Sequence, residues 1–192
     1  MAQPMTRARV SPEEYLQLER AADVRHELVN GEMVAMSGGT WEHSLIAQNI
    51  GGELRAALRP TPCQVLNSDL RIWIEATSRY TYADVVAVCG PPRFTDEVRD
   101  TILNPTAIFE VLSDSTESYD RGEKFAGYRT LPSLQEYVLV SQKLELVEHF
   151  HRQANGTWLL RVCGAGESVS LPSLGCELKV EEIYLKVFAA PA

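Results

Sequence analysis

Two apolar runs, Asp84-Val-Val-Ala-Val-Cys89 and Ala107-Ile-Phe-Glu-Val-Leu112, each contain one carboxylate. Their shortness and their many β-branched residues predict two buried strands of a central sheet. Asp84 and Glu110 would then be acidic groups at positions with little access to water. An unpaired buried carboxylate is costly, so such a group normally has a cation, a hydrogen-bonded partner or a raised pKa. The two runs therefore predict a sheet and, on it, a site that needs positive charge.

A candidate cation follows the second run. Lys124 lies in Asp120-Arg-Gly-Glu-Lys124, at the start of a predicted helix. Two carboxylates on adjacent strands can hold Mg²⁺ or Mn²⁺, with the Val111 backbone carbonyl as a third ligand, and an ammonium beside them suits phosphodiester hydrolysis. Two simpler arrangements remain open. Glu110 and Lys124 can form a metal-free ion pair, and Lys124 can pair with Asp120 four residues earlier, which is favoured for Lys124 taken alone.

The flanking segments predict helices and hairpins around these strands. Ser11-Pro-Glu-Glu14 has the N-cap, first-turn proline and third-position Glu of a helix start, and an Asn-Gly pair tolerates the positive φ angles of a tight hairpin turn. The predicted helices begin at Ser11, run from about Trp41 to Leu58 and from Asp120 to about Leu131, and end with Val180–Val187; the hairpins turn at Asn30-Gly31 and Asn155-Gly156; and a strand is predicted at Glu136–Val140. The pattern predicts an α/β (α+β) fold: a central mixed sheet flanked by helices, an N-terminal helix and hairpin, and a C-terminal antiparallel extension.

Length and charge limit the classes of function. A chain of 192 residues is predicted to form a single domain over 1–192, with residues 1–10 as an N-terminal tail. The net charge of −8 argues against a non-specific nucleic-acid coat, although bound metal and a local basic strip still permit a nuclease. No apolar run approaches the roughly 20 residues that cross a bilayer, and the N-terminus has no apolar signal core. We therefore expect a cytoplasmic protein with no membrane partner and with four reduced cysteines, since no CxxC pair is present.

Several motifs, in order, resemble the Uma-type family of proposed endonucleases, part of the PD-(D/E)xK, or restriction-endonuclease-like, superfamily. The resemblance covers about Ser11 to Val187. Its motifs are Arg25-His-Glu-Leu-Val-Asn-Gly-Glu32, His43, Tyr82-Ala-Asp-Val-Val-Ala-Val88, Phe109-Glu-Val-Leu-Ser113 with Ser115-Thr116, Tyr119-Asp-Arg-Gly-Glu-Lys-Phe-Ala-Gly-Tyr128, Leu131-Pro-Ser-Leu-Gln-Glu-Tyr-Val-Leu-Val140 and Leu171-Pro-Ser-Leu-Gly175.

The resemblance implies a restriction-endonuclease-like core in which Asp84 and Glu110 bind the metal. Two positions depart from the superfamily pattern. Ala83 stands where the family usually has Pro, and Leu112 stands where the lysine of (D/E)xK is expected. In this type of family the lysine is thought to have moved to the following helix, which implies Lys124. The resemblance also implies a homodimer.

Four further residues are candidates for a functional site. His43, near the start of the second helix, either enters a cleft or is a hydrogen-bonded histidine at a helix end, and we favour the second. Glu27, beside the Asn30-Gly31 turn, is either a cleft residue or a solvated hairpin charge. His149 and His151 share one face of a strand at a spacing compatible with metal, but no third ligand is nearby in sequence. We therefore interpret them as surface residues.

The sequence as a whole predicts a metal-dependent endonuclease that hydrolyses phosphodiester bonds of nucleic acid, with DNA as the expected substrate. Asp84, Glu110 and Lys124 are the predicted catalytic residues. The alternative is a weak or inactive member that uses the nuclease fold to bind nucleic acid or a protein partner. The acidic balance and the absent (D/E)xK lysine favour that alternative. Lys124 pointing away from the carboxylates would support it further, and Asp84 lying far from Glu110 would support the metal-free ion pair.

Overall fold

The computed structural model describes residues 9–188 and contains five α-helices and thirteen strands in that range. The helices are α1 (Pro12–Ala21), α2 (Trp41–Ala57), α3 (Glu117–Tyr119), α4 (Phe125–Tyr128) and α5 (Val180–Ile183). The strands are β1 (His26–Val29), β2 (Glu32–Ala35), β3 (Cys63–Asn67), β4 (Arg71–Ile74), β5 (Arg79–Tyr82), β6 (Val85–Cys89), β7 (Thr101–Ile102), β8 (Ala107–Leu112), β9 (Glu136–Ser141), β10 (Leu146–Arg152), β11 (Trp158–Gly164), β12 (Ser168–Leu171) and β13 (Cys176–Lys179). Within these residues, no helix has the length and apolar character to span a membrane.

A six-stranded mixed sheet forms the centre of the molecule, in the order β11-β10-β9-β8-β6-β3. Strands β8 and β9 are parallel, and the other neighbours in this sheet are antiparallel. The two apolar runs of the sequence are β6 and β8, and every residue of β8 is buried. The predicted central mixed sheet and its antiparallel extension through β10 and β11 are confirmed.

A second sheet, in the order β2-β1-β5-β4-β7, carries the N-terminal hairpin. Strands β1 and β2 pair around Asn30 and Gly31, whose φ angles of 52° and 81° are those of a tight turn. Tyr15 of α1 stacks on Tyr80 of β5 and donates its hydroxyl to the His26 carbonyl at 2.5 Å. These contacts fix the predicted N-terminal helix and hairpin against the strand that leads to Asp84.

Two apolar layers cover the two faces of the central sheet. Side chains alternate between faces along a strand, so neighbours such as Val85 and Val86 belong to different layers. We call the layer under α2, α5 and the β12–β13 hairpin the α2 face, and the layer under α4 and β4 the α4 face. Glu110 lies on the α4 face, since it contacts Tyr128 of α4. The face on which a polar side chain lies therefore decides which other polar groups it can contact.

The helix that carries Lys124 differs from the prediction. It begins at Glu117 rather than at Asp120, and Asp120–Lys124 is a π-helical segment between α3 and α4. Asp120 is buried inside this helix, so it does not act as a cap. Single π turns inside helices often occur at functional sites. The last helix is also shorter than predicted, because α5 ends at Ile183.

The cysteines divide into two kinds. Cys63 and Cys89 are opposite each other on β3 and β6 and form a disulfide, with Cα atoms 4.0 Å apart. The prediction of four reduced thiols is therefore wrong for this pair. The spacing of 26 residues gave no hint of it, because the pairing depends on the register of two strands. Cys163 and Cys176 are free.

Most of the predicted N-terminal tail, residues 1–8, lies outside the described residues. Val10 donates its backbone N–H to the Gly31 carbonyl at 2.8 Å and packs against the cluster of Tyr15, Leu28 and Tyr80. The single domain over 1–192 stays a prediction.

The start of α1 gives a stability prediction. The Ser11 hydroxyl accepts from the Glu14 N–H at 3.2 Å, and the Glu14 carboxylate accepts from the Ser11 N–H at 3.0 Å. Ser11→Ala removes half of this capping box and is expected to cost about 1 kcal/mol. Thermal unfolding should show a fall in Tm of about 2–4 °C. Ser170→Ala, at an exposed position of β12, is the control, and equal Tm values for both variants would contradict the cap.

Candidate active site

Asp84 and Glu110 lie side by side at one end of the central sheet. Val85 pairs with Phe109 in the antiparallel register of β6 and β8, so the next position brings Asp84 opposite Glu110. The Asp84 Oδ2 atom accepts a hydrogen bond of 2.7 Å from the Val111 N–H. Asp84 thus stands immediately before β6 and Glu110 lies on the adjacent strand β8, close to the arrangement that the apolar runs predicted. The arrangement in which Asp84 lies far from Glu110 does not occur.

Lys124 points into this group of carboxylates. Its Nζ atom lies 2.9 Å from Glu110 Oε1 and donates to the Tyr82 carbonyl at 2.9 Å. The same atom lies 3.5 Å from Asp120 Oδ1 and 3.5 Å from Glu27 Oε1. The pairing with Asp120 and the approach to Glu110 were alternatives in the sequence, and the structure contains both. A lysine that points away from the carboxylates is excluded.

Charge in this group is unbalanced. The carboxylates of Glu110, Asp120 and Glu27 lie within 3.5 Å of the single Lys124 ammonium, and Asp84 adds a fourth carboxylate opposite Glu110. Burial raises the pKa of Glu110 well above its ordinary value, although the charge of Lys124 opposes the rise. Burial also raises the pKa of Asp120, again against Lys124. Burial alone would lower the pKa of Lys124, but Glu110 and its neighbours outweigh it and hold the ammonium charged. The group is thus short of positive charge.

Glu27 is part of this group through the N-terminal hairpin. Its side chain is nearly buried and accepts hydrogen bonds from the Thr81 hydroxyl, the Tyr82 N–H at 3.3 Å and the Tyr119 hydroxyl at 3.0 Å. Burial tends to raise the pKa of Glu27, but the Lys124 charge and these hydrogen bonds lower it overall. Of the two interpretations of Glu27, the solvated hairpin charge is wrong.

His43 extends the group toward solvent from the first turn of α2. Its Nε2 atom lies 3.3 Å from Asp84 Oδ2. Burial lowers the pKa of His43, but the hydrogen bond to Asp84 and the charges of Asp84 and Asp120 raise it overall. The histidine is thus both near a helix end, as we favoured, and directed at the candidate site.

A cleft of about 820 Å³ gives access to Asp84 and His43. It runs between α2, β3 and the loop after β2. Its lining residues are Arg25, Met36, Ser37, Gly38, Gly39, His43, Ser44, Ala47, Gln48, Gly51, Arg55, Val65, Leu66, Asn67, Ser68, Asp84 and Val85. The two arginines of this lining are Arg25 and Arg55. The cleft therefore combines an acidic end with guanidinium groups that suit phosphates.

The donor set fits a hard divalent cation. Glu110 Oε1 is used by Lys124 and by the Tyr128 hydroxyl at 2.9 Å, while among residues 9–188 no hydrogen bond reaches Glu110 Oε2 or Asp84 Oδ1. Mg²⁺ and Mn²⁺ prefer such carboxylate oxygens and keep several waters. A cation between Asp84 and Glu110 would also supply the positive charge that the group lacks.

Tyr128 was not among the residues predicted for the site, and Asp120 was predicted only as a pairing partner of Lys124. Tyr128 is fully buried and shares Glu110 Oε1 with Lys124. Asp120, Lys124 and Tyr128 follow one another at intervals of four, which was the available signal for a common helix face. A tyrosine at such a position is more often a core residue, so its hydroxyl could not be assigned without the sheet.

Comparisons with known proteins agree with this architecture. The Uma2 family model, described as "Putative restriction endonuclease", matches residues 12–181. The uncharacterized protein slr1290 of Synechocystis is 38% identical over 176 residues, which is 92% of each chain, and the uncharacterized protein sll1609 of the same organism is 36% identical over 147 residues, 77% of this chain and 83% of that protein. The crystal structure of a "putative nuclease belonging to DUF820" from Anabaena variabilis has a TM-score of 0.75 at 15% identity, covering 93% of this chain and 99% of that one. At that identity the likeness is evidence of fold alone, and it confirms the predicted fold class.

Proposed function

Because this chain belongs to the Uma2 family, as its motifs predicted, we propose that it is a divalent-metal-dependent endonuclease that cleaves phosphodiester bonds of DNA. The observation that carries the proposal is the meeting of Asp84, Glu110 and Lys124 at the cleft end of β6 and β8. Two adjacent carboxylates with an ammonium 2.9 Å from one of them match what metal-assisted phosphodiester hydrolysis needs.

Each residue has a proposed task. Asp84 and Glu110 would hold Mg²⁺ or Mn²⁺, with the Val111 backbone carbonyl as the proposed third ligand. The bound ion would neutralise charge on the phosphate and lower the pKa of a water. Lys124 fixes the orientation of Glu110 and offsets charge that develops on the phosphate. Glu27 and Asp120 keep Lys124 charged, and His43 orients Asp84 from the cleft side.

The cleft supports nucleic acid as the substrate. Arg55 is exposed on α2, and Arg25 donates to the Ser68 carbonyl at 2.6 Å, which holds its guanidinium at the cleft wall. The Arg25 guanidinium also pairs with Asp69 at 3.1 Å, so of these two cations it is Arg55 that can offset locally the net charge of −8, which repels phosphates over the rest of the surface. The cytoplasmic location and the homodimer stay predictions.

The deciding experiment is a cleavage assay with Mg²⁺ or Mn²⁺ on supercoiled plasmid, linear duplex, branched DNA, single-stranded DNA and RNA. The wild type is compared with Glu110→Gln and with a sample containing a chelator. We expect cutting of DNA that disappears in both comparisons. Folded wild-type protein that binds DNA through the cleft but cuts no substrate would instead establish the binding scaffold.

Arg55 provides a prediction about the cleft. Arg55→Ala removes one phosphate-binding cation, so duplex DNA should bind more weakly and the slope of log K against log salt should shrink by about 0.9. Fluorescence anisotropy in the Glu110→Gln background measures this without cleavage. Arg161→Ala, at an exposed position of the edge strand β11, is the matched control. The same slope in both arginine variants would argue against the cleft as the DNA path.

A further inference from the structure

A second group of metal-ligating side chains lies on β9 and β10. Glu136 is fully buried, and its Oε2 atom is 2.5 Å from His149 Nε2 and 2.9 Å from His151 Nδ1. These three atoms all lie within 4.8 Å of one another. His149 is 3% exposed, so the interpretation of this pair as surface residues is wrong for it. The third ligand, which was not apparent from the sequence, is Glu136 on the neighbouring strand β9. The register of β9 and β10 places His151 opposite Glu136 and His149 opposite Val138.

This group is separate from the candidate active site. Residues two apart on a strand share a face, so Glu136 lies on the same face as Val138 and Val140, and His149 on the same face as Val147. All three valines belong to the α2 face. Glu110 lies on the opposite α4 face. In the parallel register of β8 and β9, Glu136 pairs with Ala107 while Glu110 pairs with Leu139. The two groups therefore differ both in face and by three residues along the strands, about 10 Å.

The donor chemistry differs as well. Two imidazole nitrogens and one carboxylate oxygen suit Zn²⁺, and imidazole is a poor choice for Mg²⁺. With metal–ligand bonds of about 2.0–2.1 Å, tetrahedral donors lie roughly 3.3 Å apart, so the present contacts would lengthen by only about 0.4–0.8 Å. The other oxygen of Glu136, Oε1, accepts the Ser173 N–H at 2.8 Å. A hydrogen-bonded ligand carboxylate of this kind is the usual support for a metal site.

We propose that Glu136, His149 and His151 form a binding site for a transition metal of the Zn²⁺ class, independent of the proposed nuclease metal. The His151 side chain is 27% exposed, so solvent reaches the group and water would complete the coordination. A bound ion would join β9 and β10. Through the Ser173 contact with Glu136 it would also fix the β12–β13 turn.

The test is a Co²⁺ and Zn²⁺ titration of tag-free, chelator-treated protein. We expect one equivalent of Co²⁺ with the intense visible bands of a tetrahedral site, displaced by Zn²⁺ but not by excess Mg²⁺. Zn²⁺ at about 100-fold above its Kd should raise Tm by about 5–10 °C, because it binds only the folded state.

The visible bands and the rise in Tm should both vanish in His151→Ala. His151→Gln, with circular dichroism as the folding check, is the second variant if His151→Ala does not fold.

Two control variants make the site assignment specific. Asp84→Asn alters the proposed nuclease site, and Cys176→Ser removes a free thiol on the strand that follows the Ser173 turn. Both should bind Co²⁺ like the wild type, without a sulfur-to-metal charge-transfer band. Loss of binding in either control, binding that survives in folded His151 variants, or no binding by the wild type would overturn the proposal.

Discussion

Asp84→Asn is expected to lower metal-dependent cleavage by at least about 10²- to 10³-fold while leaving the protein folded. The substitution removes a negative ligand from the proposed metal site but keeps the size of the side chain. The amide oxygen can still accept the Val111 N–H that Asp84 Oδ2 accepts at 2.7 Å. About a fifth of the Asp84 side chain is exposed. Because no buried ammonium depends on its charge, we expect little change in the free energy of unfolding.

The measurement is the initial rate of plasmid cutting with Mg²⁺ and with Mn²⁺, beside a thermal unfolding curve for each protein. Asp23→Asn, at an exposed position after α1, makes the same chemical change away from the cleft and should cut at the wild-type rate. Cutting at full rate by Asp84→Asn would remove this residue from the site. Loss of cutting together with a large fall in Tm would mean that Asp84 supports the fold instead.

Lys124→Met is expected to lower the free energy of unfolding by about 3–5 kcal/mol at pH 8. Its Nζ atom is the nearest cation to Glu110 and also approaches Asp120 and Glu27, and all four side chains are buried or nearly so. Methionine fills the space but leaves the carboxylates without their cation. At this chain length the loss corresponds to a fall in Tm of about 6–20 °C. Lys179→Met, at an exposed position of β13, should leave Tm nearly unchanged.

The destabilisation by Lys124→Met should also depend on pH. The pKa of Glu110 is raised in the folded protein, chiefly by burial, so its contribution to stability is lost as pH rises through that folded pKa. Without the Lys124 charge, which opposes the rise, the folded pKa of Glu110 increases further. Protonation of the Glu110 carboxyl at pH 5 then restores more of the free energy of unfolding in the variant than in the wild type. The Tm difference should be smaller at pH 5 than at pH 8, and equal differences would show that Lys124 does not balance these carboxylates.

Local sequence signals predicted the parts of the fold that depend on neighbouring residues. The Ser11 capping box, the Asn30-Gly31 turn and the β6 and β8 runs each involve residues close in sequence, and each is present in the structure. Asp84 and Glu110 are distant in sequence, and their meeting was predicted because each belongs to a short apolar run typical of a central strand. Lys124 was a candidate cation from the sequence, but its helical pairing with Asp120 was the favoured local explanation, so its place in the site depended mainly on the family resemblance.

Contacts between distant elements could not be predicted in this way. Glu27 reaches Lys124 only because β1 pairs with β5, and Leu28 opposite Tyr80 sets that register. The Cys63–Cys89 disulfide and the Glu136–His149 contact likewise follow from strand pairing. In each case the residue types were visible in the sequence, and the missing information was which strands are neighbours.

The π-helical segment of Asp120–Lys124 limits how this chain can vary in length. Hydrogen bonds in a π turn span one residue more than in an α-helix, where each residue advances the chain by about 100°. Deleting Gly122 would therefore rotate Lys124 and Tyr128 by roughly that angle relative to Tyr119. Either the ammonium would leave Glu110 or Tyr119 would leave Glu27. Gly122 is exposed, so we expect substitutions there to be tolerated, whereas insertions and deletions between Glu117 and Tyr128 should disrupt the candidate site.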